Sequence, residues 1–174
     1  VGVYYQTEIT MGEMETHCNY IFAQASDCAL NMPPQYGVGI NQKIGNNMKL
    51  VADLIQVNWS DVAVFDELFG WEDQTIIKVG MEFKGSDKTA YRVGYNYGKS
   101  PIPDDEVAKN IYAPAITEQH LTFGMTQKLG GGAEISAYYA YVPEAEQKGP
   151  NAFGGTSTVK MDQHALGVGY NVSF

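Results

Sequence analysis

The sequence predicts an all-β fold, an antiparallel transmembrane β-barrel, from three observations. Apolar and polar residues alternate along several segments, helical three-four spacing is scarce, and short and long connections follow one another in turn. The 174 residues, 44% of them hydrophobic and 18% charged, are sufficient for one ordered domain.

Eight segments are predicted to be strands. They cover residues 1-15, 34-44, 48-60, 72-85, 88-100, 117-129, 133-145 and 158-174. In the fourth segment apolar residues alternate with charged residues or glycine: Ile77, Lys78, Val79, Gly80, Met81, Glu82 and Phe83. One face of the sheet is therefore apolar and the other is polar. Many segments reach the roughly 9–11 residues that cross a bilayer at a tilt, whereas soluble strands are mostly about 5–6 residues long.

The connections between these segments alternate in length. The short ones contain Gly45-Asn46-Asn47, Ser86-Asp87 and Gly130-Gly131-Gly132, and the long ones cover 16-33, 61-71, 101-116 and 146-157. Alternation of residues alone also fits a soluble sandwich or a lipocalin-like barrel. The rhythm of the connections favours an outer-membrane barrel, which has short periplasmic turns and long outward loops.

Charge and hydropathy exclude two other classes of protein. No apolar stretch approaches the roughly 18 residues of a spanning helix, so any membrane crossing would be made by strands. The 20 acidic residues outnumber the 11 basic ones, the net charge is -9, and no cluster of Lys and Arg is visible along the sequence. Because such a chain repels phosphate backbones, nucleic acid is not expected as a partner.

The last segment carries an apolar residue at every second position and ends in an aromatic one. These residues are Leu166, Val168, Tyr170, Val172 and Phe174. The pattern resembles the C-terminal signal that the barrel-assembly machinery recognises in outer-membrane β-barrels. The resemblance implies that Phe174 lies at the periplasmic rim, that the short turns lie on the same side, and that the long loops face outward.

Several motifs along the chain carry a more specific resemblance. They are Tyr5-Gln6-Thr7-Glu8, Asn58-Trp59-Ser60-Asp61, Trp71-Glu72-Asp73-Gln74-Thr75, the run 92-103, the run 110-120 and Lys148-Gly149-Pro150-Asn151. Together they resemble the long-chain fatty-acid and hydrophobic-compound transporter family of the outer membrane, over essentially the whole chain. The resemblance implies a single-chain barrel of about fourteen strands with an N-terminal hatch in its lumen. Residues 1-174 are then expected to be the C-terminal portion of that barrel, with eight of its strands.

The family resemblance implies passive uptake of long-chain fatty acids or similar hydrophobic compounds. No enzymatic activity, cofactor or metal is expected, because His17, His120 and His164 stand in no nucleophile-elbow or HExxH pattern. The alternative is a self-contained eight-stranded barrel with a structural or adhesive role. Glycines on the interior face favour a wide lumen instead: Gly2, Gly37, Gly39, Gly94, Gly98, Gly124, Gly167 and Gly169.

Six polar residues are expected to face the lumen and are the candidates for ligand contact. They are Glu8, Asp53, Arg92, Asn96, His120 and Glu134. The favoured interpretation is that they form ion pairs across the lumen or with the hatch, because charges inside a barrel are normally paired. Val51, Ile55 and Val57 share the face of Asp53, which suits a lumen that holds a hydrophobic ligand or a plug.

Two further expectations concern the long connections. Cys18 and Cys28 lie in the first of them and are expected to form a disulfide in an oxidising envelope rather than remain free thiols. The acidic residues of the other loops are interpreted as solvated charge. Cation-bridged contact between these residues and the phosphates of lipopolysaccharide is the alternative hypothesis.

Overall fold

Eight antiparallel strands form one sheet in the order in which they occur in the chain. The structure is a computed structural model that describes residues 1–13 and 25–173. The strands are β1 (Gly2–Gln6), β2 (Gln35–Ile44), β3 (Met48–Val57), β4 (Gln74–Lys84), β5 (Thr89–Gly98), β6 (Gln119–Gly130), β7 (Ala133–Pro150) and β8 (Thr156–Val172). The predicted all-β antiparallel fold is confirmed. Within the described ranges β1 pairs only with β2 and β8 only with β7, so the sheet has two edges.

The register of the strands gives the sheet two chemically different faces. Residues that pair directly across antiparallel strands point to the same face. One row of such partners consists of Val38, Leu54, Ile77 and Tyr97. The next row, on the opposite face, consists of Gly39, Asp53, Lys78 and Asn96. We refer to the first as the apolar face and to the second as the polar face.

The apolar face presents large hydrophobic side chains to the surroundings. On β8, Leu166 is 77% exposed and Val168 is 68% exposed. Exposed apolar surface on this scale is unfavourable in water and is suited to contact with hydrocarbon chains. The hollows of the sheet lie mainly on the polar face, and the largest, of about 600 Å³, is lined there by Gly39, Val51 and Asp53.

Three short turns lie at one end of the strands. We name this end of the sheet the turn edge, to distinguish it from the edge strands β1 and β8. They comprise residues 45–47, 85–88 and 131–132. Gly45 and Gly131 each have φ of +60°, in the left-handed region that favours glycine. β8 ends at the same edge, because Val172 pairs with Ala133 and the Ser173 N–H donates to the Gly132 carbonyl at 2.9 Å.

The opposite end of the strands, which we name the loop edge, carries the connections 7–34, 58–73 and 99–118. The predicted fourth long loop at 146-157 is wrong. β7 instead continues to Pro150, β8 begins at Thr156, and residues 151–155 form a compact turn. The first strand is also shorter than predicted, since β1 ends at Gln6 and is followed by a single bridge between Ile9 and Met32.

A β-bulge explains why the sequence predicts a loop where the last part of β7 lies. Val142 pairs with Gln163 and Ala145 pairs with Met161, so Pro143 and Glu144 stand opposite a single residue of β8. The extra residue interrupts the period-two alternation at this point. The following residues are mostly polar, which removed the remaining sequence signal for a strand.

The main apolar core lies at the loop edge rather than within the sheet. Its buried members are Trp71, Ile102, Val107 and Ile116. Ala145 of β7 and Met161 of β8 pack against this cluster, so the β7–β8 hairpin covers the two loops. We name the assembly of segments 58–73 and 99–118 with the hairpin beyond Val142 the loop-edge cap. No helix among the described residues is both long and apolar enough to span a membrane.

One buried amide links the two loops of the cap. The Asn110 side chain is 1% exposed, and its Oδ1 accepts a hydrogen bond from Trp71 Nε1 at 2.6 Å. Its Nδ2 donates to the carbonyls of Phe69 at 2.7 Å and of Glu106 at 2.9 Å. Because the Asn110 side chain is buried, losing any of these bonds would leave one of its polar groups without a partner, which is costly.

Replacing Asn110 with Asp should loosen the cap while preserving the size of the side chain. A carboxylate cannot donate to the Phe69 and Glu106 carbonyls, and each unsatisfied buried group costs about 1–3 kcal/mol. We expect a red shift of tryptophan fluorescence and faster amide exchange in 99–118. An Asn151→Asp variant is the control, since Asn151 lies in the exposed tip of the hairpin and accepts backbone N–H groups through Oδ1. Equal spectra for the two variants would contradict the assigned role.

The contact between the hairpin and the 99–118 loop also depends on a close backbone approach. A Cβ added at Gly149 would lie 1.8 Å from the Asp104 carbonyl oxygen and 3.0 Å from Val107. Gly149→Ala should therefore displace the loop, with a cost of about 1–3 kcal/mol typical of overpacking. Increased proteolysis within 99–118 would report it. Gly169→Ala is the matched control, because a Cβ there meets nothing within 4 Å, and equal sensitivity of both variants would refute the prediction.

Candidate functional site on the polar face

Three of the six candidate residues lie together in one row of the polar face. Asp53 pairs with Lys78, Lys78 with Asn96, and Asn96 with His120. Asn96 Nδ2 lies 3.3 Å from His120 Nδ1, and Asn96 Oδ1 is buried without a hydrogen-bond partner among the described residues. The row is thus a band of polar groups with unused hydrogen-bonding capacity.

Lys78 was missed as a candidate although the sequence contained the signal for it. It occupies a polar position in the alternation between Ile77 and Val79, which already placed it on the same face as Asp53. The identity of its neighbours in space depends on the register between strands. Alternation along a single strand does not give that register.

The polar row is flanked by two rows of different character. Toward the loop edge lies a largely apolar row of Tyr4, Gly37, Ile55, Ile76 and Gly98. Toward the turn edge lies a row of small or apolar residues, Val51, Gly80, Gly94, Thr122, Ala140 and Ala165. Because most of these side chains are short, the second row leaves free space across six neighbouring strands.

Arg92 lies one row further toward the turn edge and is held by an ion pair. Its Nε donates to Glu82 Oε2 at 2.8 Å, and Lys49 Nζ lies 3.4 Å from Glu82 Oε1. Its guanidinium also donates to Thr126 Oγ1 at 2.8 Å. Arg92 therefore has a structural environment, and Glu82, which sequence reasoning did not select, is the acceptor that joins β3, β4 and β5.

The remaining two candidates, like Arg92, lie outside the polar row. Glu8 lies just beyond β1, which ends at Gln6, and next to Ile9, whose bridge to Met32 continues the register of β1 and β2. That Glu8 faces the lumen stays a prediction. Glu8 accepts a hydrogen bond from Asn31 Nδ2 at 2.7 Å within the first connection. Glu134 lies on the polar face but at the turn edge, where it pairs with Lys128 of β6 and its carboxylate is 3.4 Å from Asn171 Nδ2.

The four described residues of the C-terminal pattern all point to the apolar face. Leu166 pairs with Tyr139, Val168 with Ala137, Tyr170 with Ile135 and Val172 with Ala133. Phe174 lies outside the described residues. Recognition of this pattern by the assembly machinery stays a prediction.

Cys28 is 5% exposed and packs beside Val64, under the π-helical turn Val64–Leu68. Cys18 lies outside the described residues, so its pairing with Cys28 also stays a prediction. Nearby, the Glu67 carboxylate accepts hydrogen bonds from the Ser26 hydroxyl at 2.6 Å and the Ser26 N–H at 2.5 Å. These bonds lower the pKa of Glu67, and they tie the first connection to the cap.

The described residues contain no group of three or more His, Cys, Asp and Glu side chains that could hold a metal ion. His164 lies on the apolar face, where its Nδ1 is 2.6 Å from the Tyr139 hydroxyl, whereas His120 lies on the polar face two strands away. What the polar face offers is space, a few hydrogen-bonding groups and apolar rows on either side.

Solved structures that share the fold include two toluene transporters and a FadL homologue. The chain is similar to the Pseudomonas putida toluene transporter TodX, with a TM-score of 0.61 and 16% identity over 83% of this chain and 35% of that one. A Pseudomonas aeruginosa FadL homologue gives a TM-score of 0.65 and 14% identity over 97% and 47% of the two chains. The Ralstonia pickettii toluene transporter TbuX gives 0.53 and 15% over 82% and 34%.

These likenesses support the sequence resemblance at the level of the fold. This chain spans about a third to a half of the length of the structures that it matches, between 34% and 47%. No protein-family model and no curated protein matches the sequence. The chain therefore has the all-β fold of part of a FadL-type and TodX-type barrel, at low sequence identity.

An ionic cluster on the β7–β8 hairpin, beyond the bulge, forms part of the loop-edge cap, so its titration measures whether the cap is folded. About ten residues of a tilted strand cross a bilayer. The part of β7 before the bulge already supplies that number, so the cluster lies beyond it. Glu146 contacts Lys148 Nζ at 2.6 Å and also contacts Lys160. Hydrogen bonds from these two lysines lower the pKa of the Glu146 carboxyl to about 2.

The carboxyl of Glu146 should titrate far below an ordinary glutamate. Its folded pKa lies below the reference value of 4.5, so the contribution of the charged group is complete above pH 4.5 and is lost as the pH falls through about 2. Carbon-13 NMR of the labelled carboxyl should give that midpoint. A Lys148→Gln, Lys160→Gln double variant should raise it toward 4.5, and Lys109→Gln, outside this cluster, should leave it unchanged. A midpoint near 4.5 in the unmodified protein would rule out the cluster.

Proposed function

We propose that this chain is the C-terminal portion of an outer-membrane channel for passive uptake of hydrophobic compounds, such as long-chain fatty acids or hydrocarbons. The observation that carries the proposal is the layered polar face of a barrel-type sheet. An apolar row, a polar row and a row of small residues follow one another along one side of the same strands. A hydrophobic molecule can move along such a surface without being transferred into bulk water.

The opposite face supports a membrane location. Its exposed Leu, Val, Ile, Phe and Tyr side chains form the band that contacts lipid in an outer-membrane barrel. In that setting the turn edge faces the periplasm and the loop-edge cap faces outward. The barrel-assembly machinery and lipopolysaccharide would then be partners of the C-terminal strand and of the outer surface.

A larger barrel accounts for the chain better than a self-contained one. The small residues of the polar face would leave an eight-stranded barrel hollow, whereas interiors of that size are filled by side chains. Solved structures that share the fold are longer than this chain, which matches 35% of one and 47% of another. A wider barrel with additional strands would give these residues a lumen to line.

Obstruction of the polar face tests the proposed path. Gly124 lies on this face and a Cβ there meets only ordinary contacts beyond 3.7 Å, so Gly124→Trp places a large side chain in the path without a backbone clash. We expect uptake of labelled toluene or oleate by cells that express the full-length protein to fall about tenfold, as for a blocked pore.

The matched control is Met125→Trp, one residue away and directed to the apolar face, where Met125 is 40% exposed. This variant should retain uptake because tryptophan is tolerated against lipid. If both variants lose uptake equally, or if Gly124→Trp transports normally, the polar face is not the path. If the unmodified protein takes up neither probe, the proposed substrate class is wrong.

A further inference from the structure

Basic residues gather at the turn edge of the polar face. Six of the 11 Lys and Arg residues lie there: Lys43, Lys49, Lys84, Lys88, Arg92 and Lys128. They belong to strands β2 to β6 and to the turn between β4 and β5. Because they are spread along the sequence, only the fold brings them together, and the sequence expectation of no basic cluster is wrong in three dimensions. We name this group the turn-edge basic surface.

Three acidic residues lie among these six basic ones within the described part of the chain, so the surface keeps a net positive charge. Glu82, Asp87 and Glu134 are the acidic residues that line the same hollows, and Glu82 is already shared by Lys49 and Arg92. The remaining four lysines are exposed and take part in no ion pair there: Lys43, Lys84, Lys88 and Lys128. The whole protein has a net charge of -9, so a surface of net positive charge differs in sign from the rest of the chain.

The size of the surface identifies the class of anion that it fits. Lys43 on β2 and Lys128 on β6 are separated by four strand spacings, which is about 19 Å. Two adjoining hollows of about 400 Å³ each lie along this line and share Glu82 and Lys84. One carboxylate or phosphate cannot contact lysines at both ends, whereas an extended peptide of about six residues covers that length.

The position of the lysines indicates the side from which a partner arrives. Lys88 lies in a short turn, and the other three lie within three residues of one. Their amines are therefore reachable from the compartment that the turns face, without entry into the middle of the sheet. The loop edge has the opposite charge, with Asp104-Asp105-Glu106 as its most acidic run, and offers no comparable surface for an anion.

We propose that the turn-edge basic surface docks an acidic polypeptide segment of a separate protein in the compartment of the short turns. Several carboxylates of that segment pair with Lys43, Lys84, Lys88 and Lys128, and the small residues beyond Arg92 leave room for its side chains. The identity of the compartment as the periplasm rests on the proposed function. The docking itself rests only on the charges and dimensions described above.

A binding experiment on the full-length protein in detergent micelles tests the docking. The probe is a fluorescein-labelled ten-residue glutamate peptide, followed by fluorescence anisotropy. We expect binding that weakens as salt is added, because exposed ion pairs are screened. The combined variant Lys43→Gln, Lys84→Gln, Lys88→Gln and Lys128→Gln should weaken binding about tenfold or more, since it removes four charge contacts.

The chain offers a control of equal charge change. The combined variant Lys99→Gln, Lys109→Gln, Lys148→Gln and Lys160→Gln removes the four lysines of the loop edge and should leave the affinity within about twofold. Arginine at the four turn-edge positions should restore binding, which separates loss of charge from loss of folding. Circular dichroism checks the strand content of each variant.

Four results would overturn the proposal. The full-length protein could fail to bind the peptide, which would mean that a segment of its own already covers the lysines. The two glutamine variants could lose affinity equally. Inorganic phosphate could displace the peptide at equal charge concentration, which would make a small anion the ligand of the surface. Vesicles with anionic phospholipid could bind in place of the peptide, which would make a lipid the ligand. None of these depends on uptake of toluene or oleate, so failure of the transport proposal is recorded separately.

Discussion

The hydrogen-bonded register between neighbouring strands is the constraint on which every other feature depends. Side chains in a strand alternate between faces, so a slip of one residue in any pair would exchange the apolar and polar faces of that strand. The observed register aligns Asp53, Lys78, Asn96 and His120 across four strands, and it keeps hydrophobic residues together on the other side. A single chemical pattern is thereby propagated from strand to strand by backbone pairing alone.

Alternation along one strand was sufficient to predict the fold but not the site. The strand segments and their two faces follow from residues such as Ile77 and Lys78, because period-two spacing is a local property. The neighbours of Lys78 in space, the joint use of Glu82 by two basic residues, and the gathering of six basic residues at one edge all require the pairing of distant segments. Glu8 stands outside the strands for a related reason, since the alternation continues past Gln6 although only the single bridge between Ile9 and Met32 follows β1.

The stabilising interactions lie in two regions of the structure, the sheet and the loop edge, which have different surroundings. Within the sheet, backbone pairing and short side chains leave space on the polar face, so little packing takes place there. At the loop edge, Trp71, Ile102, Val107 and Ile116 form an ordinary apolar core with a buried amide at its centre. The loops therefore have a defined shape of their own.

The bulge at Pro143 and Glu144 changes the phase of β7 by half a period. Before the bulge, Tyr139 and Tyr141 point to the apolar face, but after it the odd-numbered Ala145 and Gln147 point inward, toward the cap. One continuous strand can thus satisfy two different surroundings, an exposed apolar face along its first part and a protein core along its second. The inserted residue shifts the reading frame of side-chain direction, so that a hairpin of mostly polar sequence can cover an apolar core.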